Sequence, residues 1–123
     1  MAGHQAFRDG AWTPDQEVHD DQAVVLHLRD RGLVILTGCG HSGIINIIRY
    51  AKRLTGVPRL HAILGGFHLR DGPVLAETVA ALVDEAPQVV VPAHCTSWKA
   101  QHALAAALPG AYRPNAVGSR FEL

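Results

Sequence analysis

The residues best equipped for chemistry lie in three short stretches: "TGCGHSG" from Thr37 to Gly43, "GGFHL" from Gly65 to Leu69, and "VPAHC" from Val91 to Cys95. They carry His41, His68 and His94, spaced about 27 residues apart, together with the chain's two cysteines, Cys39 and Cys95. Histidine is the commonest protein ligand for metals. Three imidazoles around zinc, with one position left for water, lower the pKa of that water towards about 7 and supply a nucleophile near neutral pH. Hydrolysis is the reaction such a group suits. Gly38, Gly40, Gly65 and Gly66 let backbone approach a ligand closely. A Walker-type phosphate loop fits less well, because "GCGHSG" has neither the lysine nor the longer spacing. A dithiol redox site lacks its Cys-x-x-Cys pair.

Neighbouring residues divide by position. Cys39, directly after Gly38, can serve as a ligand or line the site. Cys95 follows His94 in an extended loop, where successive side chains point to opposite sides, so it is expected to pack. Asp21 is a candidate to orient a ligand histidine from behind, whereas Glu17 and Asp20 are expected in solvent. His4, His19 and His102 have no placement near the three stretches. His27 and His61 read as sheet-face residues.

Histidines so far apart meet only if the elements between them bring them back to one edge. "AVVLHL" (23–28) and "LVILT" (33–37) read as an antiparallel hairpin turned at "RDRG". Ser42 is a plausible helix cap, followed by an apolar stripe of Ile44, Ile47, Ile48, Ala51 and Leu54 that closes at Gly56 and Pro58. "LHAIL" (60–64) is a buried strand. A second helix opens at Asp71 and Pro73, with Leu75, Val79, Leu82 and Val83 on one face. "VVV" (89–91) is the next strand. Thr96 or Ser97 caps a third helix through Ala100, Leu104, Ala107 and Leu108. "NAVGSRFEL" reads as one more strand, and residues 1–22 as an irregular lead-in. The expected class is α/β: a hairpin, then alternating strands and helices, forming a largely parallel sheet with right-handed crossovers. The three histidines each follow a strand, so they share the edge where open α/β sheets bind ligands.

At 123 residues the chain is the length of one domain, and 48% of it is hydrophobic. Eleven Lys and Arg balance eleven Asp and Glu, so no net field draws it to nucleic acid or to a membrane surface. No apolar run approaches the roughly 20 residues that span a bilayer, and the polar start is unlike a signal peptide. Two cysteines make no disulfide framework. The expectation is a soluble, cytoplasmic protein with reduced thiols.

The ordered set "DDQAVV", "GLVILTGCGHSGIINII", "AILGGFHL" and "VVPAHCTSWKA" resembles the C-terminal half of metallo-β-lactamase-fold hydrolases, nearest the dihydropterin-ribofuranosylaminobenzene-phosphate synthase-like subgroup. The resemblance implies half of an αββα sandwich with one or two divalent metals at the sheet edge, usually zinc, with manganese or iron as alternatives. It makes His41 and His94 metal ligands, with Cys39 an alternative donor. It gives His68 either to metal or, with Gly65 and Gly66, to a small-molecule substrate. The family's first half carries a His-x-His-x-Asp-His motif, and no such string occurs in this sequence. The chain is therefore expected to be a fragment of a longer hydrolase, or to complete its fold with a second copy or another chain. Two further functions stay open: a non-catalytic assembly module derived from that fold, and a metal-free protein that binds phosphorylated metabolites.

Overall fold

A computed structural model describes residues 5–15, 18 and 21–123. His4, Glu17, His19 and Asp20 lie outside the described residues. The lead-in is not irregular throughout. Strands β1 (Gln5–Arg8) and β2 (Ala11–Pro14) pair antiparallel. Asp9 and Gly10 both take positive φ, 52° and 82°, the requirement of the two-residue hairpin turn that Asp-Gly favours. Phe7 faces Trp12 across the ribbon, ring centroids 5.4 Å apart, and this cross-strand aromatic pair supports a ribbon too small to stand on backbone bonds alone.

The main sheet has the order β3-β4-β5-β6, from β3 (Ala23–Leu28), β4 (Gly32–Thr37), β5 (Leu60–Gly66) and β6 (Val89–Ala93). The first pair is antiparallel, and β4, β5 and β6 run parallel. Helices α1 (Ile44–Thr55) and α2 (Pro73–Glu85) form the crossovers, and α3 (Trp98–Ala107) follows β6. The core joins Leu33 and Ile35 of β4, Ile63 of β5 and Val90 of β6 to Ile48 and Ala51 of α1, Leu82 of α2, and Ala100 and Leu104 of α3. All three helices thus cover one face, as one layer of helices on one sheet. On the other face Val24, Leu26 and Leu36 remain 58%, 48% and 39% exposed.

Helix ends show where side-chain chemistry overrides a simple cap assignment. Gly43, not Ser42, precedes α1, because the Ser42 hydroxyl is engaged with Asp21. Ser97 caps α3, accepting from the Ala100 amide at 3.2 Å. Thr96, the alternative cap, is buried, and its hydroxyl accepts from the Phe67 amide at 3.1 Å. Leu54 and Val83 continue their apolar stripes but end up exposed, while Ile48 and Leu82 fill the core. The C-terminal stretch forms no strand; Tyr112 makes a single parallel bridge to Val90 before the chain turns away. Among the described residues no helix is long and apolar enough to cross a membrane.

Candidate metal centre

Parallel registry sets the stage. Thr37 lies beside Gly65, and Gly66 beside Ala93, so β4, β5 and β6 end level with one another. Three loops leave that edge, and each is bonded to the other two. The Gly66 amide donates to the Gly38 carbonyl at 3.0 Å, joining the first to the second. The His68 amide donates to Cys95 Sγ at 3.2 Å, and the Ser97 amide to the Leu69 carbonyl at 2.9 Å, joining the second to the third. Cys95 Sγ in turn donates to the Cys39 carbonyl at 3.1 Å, closing the triangle. Thr37 Oγ1 donates to the Gly66 carbonyl at 2.8 Å and so holds the second loop from below.

The triangle delivers two neighbouring groups of donors. The His41 and His68 rings meet edge-on, with centroids 4.6 Å apart and planes at 81°. His94 sits near the thiols: one donor atom each from Cys39, His94 and Cys95 lie within 4.8 Å of one another. The three imidazoles of the sequence reading thus stand on loops bonded to one another, two of them edge to edge and the third within reach of both thiols. Cys95, expected to pack, bonds through its sulfur to both neighbouring loops, and the loop that carries it is not extended at His94, where φ is 49°. His68 has the same left-handed backbone, at 45°. Ordinary side chains adopt this region seldom, and such residues concentrate at functional sites.

Asp21 reaches the site from the start of β3. Its carboxylate accepts from the Ser42 amide at 2.9 Å and from the Ser42 hydroxyl at 2.5 Å. It thus grips the residue after His41. Partial burial pushes the Asp21 carboxyl up, but its hydrogen bonds from Ser42, an amide bond at His41 and the nearby His41 ring together hold it below the usual value. Gly65 and Gly66 are required by packing against the first loop. A Cβ on Gly65, at φ 117°, would strike the Thr37 carbonyl. One on Gly66 would come 2.8 Å from Cys95 Sγ.

Imidazole and thiolate are the donors zinc prefers, and both groups stand at the edge where an α/β sheet presents its loops. Among the described residues the donor set therefore fits a divalent, thiophilic metal.

No family model matches the chain. A crystal structure of a metal-dependent hydrolase of the β-lactamase superfamily superimposes with a TM-score of 0.82 at 28% identity, over 94% of this chain and 45% of that one. This chain carries part of a metallo-β-lactamase fold. Two curated relatives come from the archaeon Methanocaldococcus jannaschii. One is 7,8-dihydropterin-6-methyl-4-(beta-D-ribofuranosyl)-aminobenzene-5'-phosphate synthase, 29% identical over 85 residues, which are 68% of this chain and 29% of the relative. The other is an uncharacterized protein, 37% identical over 103 residues, which are 81% of this chain and 36% of the relative. The chain thus spans between about a third and a half of the length of the proteins it matches. Its four-stranded sheet with helices on one face corresponds to one αβ layer of the metallo-β-lactamase sandwich.

Proposed function

We propose that this chain is the metal-holding part of a hydrolase of the metallo-β-lactamase superfamily, acting on an ester, phosphoester or related bond of a small molecule. The observation that carries the proposal is the coincidence of two things: the loops at the ends of β4, β5 and β6 gather His41, His68, His94 and Cys39 at one edge, and the backbone beneath them matches a metal-dependent hydrolase. These four residues hold the metal, zinc by the chemistry of the donors, with manganese or iron as alternatives. When bound, the metal supplies Lewis acidity that polarises the scissile bond and activates water. Asp21 fixes the turn that aims His41. A phosphate-bearing substrate suits the start of α1, which follows the first loop directly, and the curated synthase bears a phosphate in its name. Two reduced thiols suit a cytoplasmic setting. The remaining ligands come from the rest of the sandwich, in the same polypeptide, a partner chain or a second copy. The test is the metal content of the purified, reduced chain: one equivalent or more of zinc, manganese or iron is expected, and well under one equivalent excludes catalysis by these residues.

A second reading, a non-catalytic assembly module, is favoured by the exposed Val24, Leu26 and Leu36 on the face opposite the helices. It requires a stable oligomer or complex that forms equally with and without chelator. Sedimentation showing a monomer in both conditions eliminates it.

A further inference from the structure

We infer that the cavity between the outer strand β3 and helix α1 is a binding site for an organic anion with an aromatic body, held by Arg49 and Arg53. The inference goes beyond the hydrolase reading and does not rest on it. The cavity lies on the helix side of the sheet, and none of His41, His68, His94 and Cys39 lines it.

Sheet topology creates the space. α1 carries the chain from β4 to β5, whereas β3 lies beyond β4 as the outermost strand. The helix therefore leaves a gap over β3, a cavity of about 810 Å³, within the range of about 300–1,000 Å³ that small-molecule sites occupy. Val25 shares the helix-side face with its cross-strand partner Ile35, and with Ile47 and Ala51 of α1 it gives the cavity an apolar floor. Val25 and Ile47 are only partly buried against the core, so this surface has room for a further apolar group. Leu54 and Tyr50, 66% and 53% exposed, continue the lining along α1.

The wall above that floor is cationic. α1 carries Arg49, Lys52 and Arg53 and no acidic residue. Lys52 pairs with Glu85. Arg49 and Arg53, one turn apart and both lining the cavity, have no carboxylate partner among the described residues. Like charges at this spacing repel, so an anion between them relieves the repulsion and accepts charge-assisted hydrogen bonds from both guanidinium groups. Among the described residues that line the cavity Asp21 is the only acid, and its carboxylate is already bonded to Ser42. The Arg53 guanidinium lies over the Tyr50 ring, 5.0 Å from its centroid. This cation–π pair offers flat surfaces, which match an aromatic body better than an alkyl chain.

The probe is anilinonaphthalene sulfonate, and phenylnaphthylamine, the same aromatic body without the sulfonate, is its neutral control. Each is titrated into the purified, reduced chain, with fluorescence and calorimetry as independent readouts. The sulfonate is expected to bind at one site, about tenfold or more tighter than the neutral compound, and equally with and without chelator. Arg49→Gln/Arg53→Gln is expected to weaken it by about tenfold or more, whereas Leu26→Ser, on the open face of the sheet, leaves it unchanged. Both arginines are exposed, and circular dichroism with cooperative urea unfolding verifies that the variants fold, since a loosened core also binds this dye. The comparison of the two compounds needs no variant. Equal affinity for both compounds, undiminished binding in the folded double arginine variant, loss of binding in folded Leu26→Ser, binding abolished by chelator, or no binding at all overturns the inference.

Discussion

His68 and His94 each hold a left-handed backbone that glycine would hold without strain, so their side chains are kept there at a cost to stability of about 1 kcal/mol apiece. That cost separates ligand chemistry from folding. His94→Gly is expected to be more stable than His94→Ala by about 0.5–1 kcal/mol in urea unfolding, while both lose metal equally. Equal stabilities would show that the backbone at His94 is not strained. A different residue governs the pH response. His61 is 7% exposed, and neither ring nitrogen has a hydrogen-bond partner. Loss of solvent, followed by the charges of Arg31 and Arg59, pushes its pKa below the ordinary 6.5. The native state thus holds His61 neutral, and the unfolded chain binds its proton first as pH falls. Stability is full above about pH 6.5 and declines as the pH drops from there towards the lower native value. Unfolding measured between pH 7.5 and 5 should show this decline, and His61→Leu should reduce it. An unchanged pH slope in that variant assigns the response elsewhere.

Among the elements, β3 is both the sheet's outer strand and the support of the first loop, through Asp21 just before it. Removing a carboxylate that positions a ligand from behind typically weakens metal binding 10–100-fold. Asp21→Ala is expected to do so in a zinc competition titration with little loss of stability, because its bonds to Ser42 are exposed. Leu104 of α3 is fully buried among β-strand and helix side chains, so Leu104→Ala is expected to cost about 2–5 kcal/mol in chemical denaturation. A loss below 1 kcal/mol would mean that α3 does not anchor the core. These elements were legible in the sequence because period and punctuation agree: the apolar stripes of α1 and α2, the glycine and proline stops, and the runs of β-branched residues. Their limits were less legible. Leu54 follows the stripe of α1, but the stripe runs past the sheet it packs on. Likewise the grouping of His41 with His68 follows from strand order, whereas the partnership of His94 with Cys95 depends on one backbone angle that no residue type announces. The β1–β2 turn did have a signal, Asp9-Gly10, hidden in a segment whose composition reads as irregular.

The whole molecule presents two surfaces of opposite character, a sheet edge crowded with polar donors and a sheet face with Val24, Leu26 and Leu36 open to solvent. Under the proposed function, a second layer that covered this face would also bring the remaining ligands to the edge. The closed triangle of loops adds a kinetic dimension. The bond from Cys95 to Cys39 joins residues 56 positions apart, farther than either parallel strand pairing requires. It can form only after α1 and α2 have each carried the chain back to the sheet. The closed triangle is therefore a late product of folding, and a nascent chain released before β6 emerges would hold a sheet and two helices but not the third loop that closes it.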